Sequence, residues 1–354
     1  MNANLGRLAA ATVLAIIPLR LAHAHHAGGS GNTSGAGPIN TISAETLEAG
    51  LTLVGVTIDY TSLNTLSDST LFNATAAGIE GVHGLKTLQS YNLVAAYGVT
   101  NDLMLSMRLP WVRRTGIAAA EKDAASNLIE VLDHGGADGV GDTSMQGQYR
   151  FLNSGSFEVA ALLGFTAPTG PTNRRSRQSE LLDAEFQPSS GAWAGNFGLA
   201  VTHRAGPWSF DANVMYELNG EGTQTTDLGD IFLYNVAISH RLTALPPQGP
   251  MFHGKHAHDE GDDGHHHAAS EHATPAAAVD LVLEINGQWH EKQVQSGLTD
   301  DNSGGQTIFL SPGLRVTAGN ISAFASLGVP LLNDFNGIQP DNDWHLTSGV
   351  VIGF

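Results

Sequence analysis

The stretch WSFDANVMYEL, residues 208–218, alternates along its whole length. Trp208, Phe210, Ala212, Val214, Tyr216 and Leu218 fall on one face, and Ser209, Asp211, Asn213, Met215 and Glu217 on the other. Successive strand residues point to opposite faces, so this segment reads as a strand that is apolar on one side and able to meet water on the other. A helix would scatter the same residues around its axis. The segments IFLYNVAISHR (231–241), VDLVLEINGQW (279–289) and the terminal DWHLTSGVVIGF (343–354) repeat the pattern.

Weaker copies lie at 51–61, 88–99, 103–113, 143–152, 157–167, 193–204, 306–317 and 320–331, which brings the predicted strands to twelve. Their connections sort by length. GVTND (98–102), NSGS (153–156), RAGP (204–207) and TAGN (317–320) are tight, whereas 62–87, 114–142, 168–192, 218–230, 291–305 and 332–342 are long. Short turns on one side and long loops on the other are the habit of outer-membrane barrels, with short periplasmic turns and long extracellular loops. The expected fold is therefore all-β: a transmembrane, antiparallel, up-and-down β-barrel of about 12 strands. A soluble β-sandwich also alternates, but it has no reason to sort its loops by length.

The N-terminus fits export. MNANLGRLAAATVLAIIPLRLAHA has Arg7, an apolar run over Leu8–Ile17 and an A-x-A site at Ala22-His23-Ala24, the pattern of a signal peptide over 1–24. Without Arg7 and Arg20 the mature chain keeps 14 Lys+Arg against 34 Asp+Glu, a formal charge of −20, which argues against nucleic-acid binding. The chain has no Cys, so no disulfide holds it together. Residues 25–46 read as a periplasmic leader and 47–354 as the barrel, interrupted by an insertion at 243–277.

The runs DGVGDTSMQGQYRF (138–151), GFTAPTGP (164–171) and EFQPSSGAWAGNFGLAV (185–201), with GAGPINTISAETLEAG (35–50), resemble the outer-membrane transporter family associated with the meta-pathway of phenol degradation. The resemblance implies a barrel in the outer membrane of a Gram-negative bacterium, with a transport role, lipid around it and a small solute as partner. It supplies no catalytic residues and no substrate.

The insertion departs from that pattern. HGKHAHDEGDDGHHHAASEH, residues 253–272, puts seven His and five carboxylates in twenty positions, on a connection that strand counting assigns to the periplasm. His253, His256, His258, His265, His266, His267 and His272 offer imidazoles suited to Zn, Cu, Ni or Co ions, and Asp259, Asp262 and Asp263 offer oxygens. His25 and His26 lie on the same side. Three readings stay open: a metal-capturing or sensing loop, a solvated linker that binds metal only incidentally, and a segment that docks a periplasmic protein or responds to pH. No cofactor is required by any of them.

The polar faces carry charge near the periplasmic ends. Arg150, Arg204, Arg241 and Arg315 lie toward the ends of even-numbered strands, and Glu158, Asp211, Asp280 and Glu284 on the odd-numbered strands that follow or precede them. These groups form either a belt of cross-strand ion pairs or a constriction that filters solutes by charge. The sequence has no G-x-S-x-G, P-loop or H-E-x-x-H, and His203 and His240 face outward with no Ser nucleophile motif beside them, so an enzyme is not expected. The reading is a channel or accessory transporter for small solutes with a metal-binding loop; a non-conducting structural barrel is the alternative.

Overall fold

The alternating segments become one continuous wall. The computed structural model describes residues 36–123, 125–243 and 277–354; the signal peptide, residues 25–35 and the His/Asp-rich 253–272 lie outside the described residues. The barrel strands are β1 Thr52–Asn64, β2 Thr87–Thr100, β3 Leu103–Lys122, β4 Ile129–Val140 with Thr143–Asn153, β5 Phe157–Ala167 and β6 Ala194–Ala205. They continue as β7 Trp208–Asn219, β8 Ile231–Arg241, β9 Ala278–His290, β10 Gly305–Ala318, β11 Ile321–Phe335 and β12 Asp341–Gly353. All twelve are antiparallel to their neighbours, and β1 pairs with β12 from Leu53↔Gly353 to Asn64↔Asp341 to close the wall. Closure is what lipid demands, since an open edge would leave backbone N–H and C=O groups unpaired in hydrocarbon.

Side-chain burial follows the period. Along β7, Ser209, Asp211 and Asn213 are buried in the interior, while Trp208, Phe210 and Val214 are exposed on the outer wall. The outer wall carries aromatics toward each rim, with Trp208, Phe210 and Phe354 at the periplasmic end and Tyr91, Trp111 and Trp193 at the extracellular end. This is the double girdle of a barrel seated in a bilayer.

One sequence expectation is overturned. The span 114–142, read as one long connection, is mostly strand: β3 continues to Lys122 and β4 starts at Ile129, so the two rise as a hairpin beyond their neighbours. Its alternation was hidden because the ladder shifts register between Thr115 and Ala118, at Gly116 with φ +70°, so the faces swap part-way along. A second irregularity sits lower. Pro110 has no amide hydrogen to offer β4, and β4's ladder is interrupted opposite it at Gly141 and Asp142, with Gly141 N–H donating to Pro110 O at 2.8 Å.

The extracellular loops are structured. Residues 65–86 hold α1, Asp68–Ala76, started by Ser67, whose side chain accepts from Thr70 N–H at 3.1 Å. The β5–β6 loop runs beside the free edge of upper β4, where Arg177 N–H donates to His134 O, and so covers an edge that would otherwise be unpaired. Leu182 and Phe186 of that loop are buried against Leu63, Leu85, Ile117 and Ala137 on the inner wall.

Candidate functional site

Residues 36–49, which include the end of the stretch read as a free leader, run inside the barrel. Ile42 and Ala44 pack against Ala160, Leu162, Ala200 and Leu233, and Leu47 packs against Leu53, Val94 and Met104. An extended segment has backbone groups that must be satisfied once it leaves water. Polar wall residues supply the partners. Glu284, 1 % exposed, accepts Ile39 N–H at 3.1 Å, Asn40 N–H at 2.9 Å, Thr41 N–H at 2.8 Å and Asn40 Nδ2 at 2.7 Å. Asn213 Oδ1 accepts Ile42 N–H at 2.9 Å, Thr202 Oγ1 accepts Ala44 N–H at 2.8 Å, and Gln148 Nε2 donates to Ser43 O and Glu45 O.

The charged groups named from the sequence gather around this segment. Arg241 makes a two-pronged pair with Asp280, Nε to Oδ1 at 2.7 Å and Nη2 to Oδ2 at 2.9 Å, and Asp280 also stands opposite Arg315 in register. Arg315 donates to Pro38 O and lies over the Phe324 ring at 5.9 Å. Arg204 pairs with Glu45, and Arg150 Nη1 with Glu158 Oε1 at 3.2 Å, while Arg150 also bonds Asp102 in the turn. Asp211 accepts from Thr202 at 2.6 Å and Ser209 at 2.7 Å. In this arrangement the Arg and acid groups hold one another and the threaded chain, which fits an ion-pair belt better than an open charge filter. Because residues 36–49 fill the periplasmic part of the lumen, the barrel in this state is not an open polar pore.

Above the threaded segment is a cavity of about 140 Å³. Leu88, Met215, Leu228 and Leu233 give it apolar surface, and Arg108, Asp142, Gln146, Glu185, Asn196 and Glu217 give it polar groups. The β5–β6 loop is its roof. Two of its lining residues, Met107 and Met145, stand opposite each other across β3 and β4 and are 36 % and 43 % exposed on the outer wall, immediately below the interruption at Pro110 and Gly141. The lining thus includes wall residues from both strands beside the break in the ladder.

The roof is unusual electrostatically. Burial pushes the Asp183 carboxyl up to about 7, with Glu121 and Glu180 adding repulsion. Burial also raises Glu185 well above its ordinary value, with Asp183 adding repulsion and Arg114 partly offsetting it, and Glu185 Oε1 has no hydrogen-bond partner among the described residues. Burial likewise lifts Asp300, in the β9–β10 loop, to about 6.

A family model described as "Putative MetA-pathway of phenol degradation" matches residues 94–283, more than half of the chain. The chain belongs to that family. Among solved structures it is similar to an outer membrane channel from Pseudomonas putida F1, at 17 % identity with a TM-score of 0.55, covering 88 % of this chain and 98 % of that one. The CymD monoaromatic hydrocarbon channel follows with 10 % identity, a TM-score of 0.39 and 87 % and 89 % coverage. The Pseudomonas putida toluene transporter TodX gives 7 % identity, a TM-score of 0.37 and 87 % and 90 % coverage. No curated protein matches the chain. The chain is an outer-membrane β-barrel of a Gram-negative bacterium, and as a member of this family it is not an enzyme.

Sequence reasoning missed the threaded segment and the cavity. The first had a faint signal: Ile39, Ile42 and Leu47 are isolated apolar residues in a polar stretch, which suits contact with a wall more than a solvated leader. The second had none, because Arg108, Asp142, Glu185 and Glu217 come from strands and a loop far apart in the chain.

Proposed function

We propose that the protein admits small one-ring aromatic solutes bearing a polar group, and that the cavity under the β5–β6 loop is where they bind. The cavity's size and mixed lining carry this reading: cavities of about 150 Å³ accept a benzene-sized molecule, and Arg108 beside Glu217 and Asp142 can meet a hydroxyl as both donor and acceptor. The family's association with phenol degradation supports it. The route favoured is sideways, between the cavity and the membrane through the break in the β3–β4 ladder, since the axis below is filled.

A Cβ placed on Gly141 would lie 3.0 Å from Pro110 Cγ and 3.2 Å from Val112 Cγ1, so Gly141→Val narrows the break. Phenol uptake by cells whose entry depends on this protein should fall roughly tenfold, a barrier of about 1.4 kcal/mol. Undiminished uptake through a folded Gly141→Val barrel would end the sideways route.

The metal reading of residues 253–272 remains the second proposal. Its support is the His and Asp content and the periplasmic position of the described flanks, where Thr243 Oγ1 donates to Ala277 O at 2.9 Å. Several weak sites for Cu(II) ahead of Zn(II) are expected from a ligand set of this kind. Calorimetry on the full barrel should show Cu(II) binding that a deletion of 253–272 abolishes; equal binding after deletion would leave the loop as a linker.

A further inference from the structure

The chain is acidic, with a formal charge of −18, yet several of its cations share one groove on the extracellular half of the barrel. Lys86, Arg113, Arg175 and Arg177 line an open groove of about 640 Å³ where upper β3 and β4 meet the β5–β6 loop. The acids in the groove are Asp133 and Asp138, so these groups carry an excess of positive charge. Arg177 is paired with Asp133 at 2.5 Å and Arg175 donates to Ser179 O at 2.7 Å. Lys86 and Arg113 are exposed, and neither side chain makes a hydrogen bond or ion pair among the described residues, although Asp138 faces Arg113 in register.

The floor of the groove is backbone. Gly116, Gly135 and Gly136 lie along it, and the Lys86 stem crosses Gly116 so closely that a Cβ there would stand 2.5 Å from Lys86 Cγ. The Arg177 side chain likewise crosses Gly135, where a Cβ would stand 3.1 Å from Arg177 Cγ, so the glycines let both cationic side chains lie flat against the main chain.

Height on the wall names the ligand. Arg113 lies two residues beyond Trp111, which is 46 % exposed and pairs with the exposed Tyr91 in the extracellular girdle. Two strand residues advance about 7 Å, which lifts the guanidinium from the girdle into the layer where lipid headgroups begin. In the outer leaflet of this membrane those headgroups are phosphorylated sugars of lipopolysaccharide, and Arg and Lys are the groups that hold phosphate.

We infer that this groove seats a phosphate of outer-leaflet lipopolysaccharide, with Lys86 and Arg113 as its principal contacts. The test uses the full barrel in detergent, titrated with deep-rough lipopolysaccharide that carries both lipid A phosphates and followed by native mass spectrometry. The Lys86→Ala/Arg113→Ala variant should bind at least about tenfold more weakly, as two charge-assisted contacts imply, and dephosphorylated lipid should bind wild type equally weakly. Lys122→Ala, an exposed cation at the end of β3 outside the groove, should bind as wild type. Retention of the barrel's heat-resistant gel mobility shows that each variant is folded. Full affinity in the double variant, or for dephosphorylated lipid, overturns the proposal. Displacement of lipid by an equal concentration of inorganic pyrophosphate would assign the groove to soluble phosphate instead and overturn it equally.

Discussion

Glu284→Ala should open the barrel along its axis. Three backbone N–H groups and one side-chain amide end on this carboxylate. Hydrogen bonds to a charged acceptor are worth about 1.5–3 kcal/mol each, and a buried donor left without a partner costs about 1–3 kcal/mol. Even with a single water replacing the carboxylate, a loss of about 3 kcal/mol at the segment's seat is a conservative figure, and it shifts the balance between seated and released states by more than a hundredfold. In planar bilayers the wild-type protein should conduct in rare events or not at all, and the variant should show long-lived openings. Glu284→Gln should fall between them, because its Oε1 still accepts while its Nε2 turns a donor toward the Asn40 amide. A folded Glu284→Ala barrel with wild-type conductance would mean that residues 36–49 are not what closes the axis, and the ion-pair belt around Arg241 and Asp280 would then be the next place to look.

The β5–β6 roof should loosen as pH rises. Asp183 ionises near its ordinary value of 3.8 when the loop is free, but burial lifts it to about 7 when the loop is seated. The seated state thus binds the proton more tightly, and its extra stability is complete below 3.8 and lost as pH rises through about 7. Glu185 pushes in the same direction, since burial raises it as well. The combined effect is on the order of a few kcal/mol. Hydrogen exchange over residues 174–190, corrected for the intrinsic pH dependence of exchange, should report at least about tenfold less protection at alkaline than at mildly acidic pH. Asp183→Asn removes the ionisation while keeping the shape, so it should flatten the part of that dependence centred near neutrality. If Asp183→Asn titrates like wild type, the roof is held by Leu182 and Phe186 alone and the carboxyl is a bystander. Because the roof covers the cavity, looser seating should also speed solute entry at high pH.

The correspondence between sequence and structure differs sharply by element. Strands β7, β8, β9 and β12 were readable because a wall between lipid and a polar interior forces a period of two, and WSFDANVMYEL obeys it at each step. Upper β3 and β4 were not, since the bulges at Gly116 and Gly135 move residues to the opposite face and erase the period. The positions of Arg150, Arg204, Arg241 and Arg315 near the periplasmic rim followed from strand direction alone. Their partners did not: Asp280 is Arg241's neighbour across the hairpin, but Glu45 and Pro38 reach Arg204 and Arg315 from a segment more than a hundred residues earlier.

By itself, the sequence determined the barrel, its strand number and its acidic character, because each of these depends on local alternation, loop length or residue count. Only the tertiary structure decided that residues 36–49 occupy the lumen, that Glu284 is their anchor, that a cavity sits between them and the β5–β6 loop, and that Lys86 and Arg113 share a groove. Those facts depend on which distant residues face one another inside or outside a closed wall. Register and curvature set that geometry, and a period of two tells a residue's face but not its neighbours.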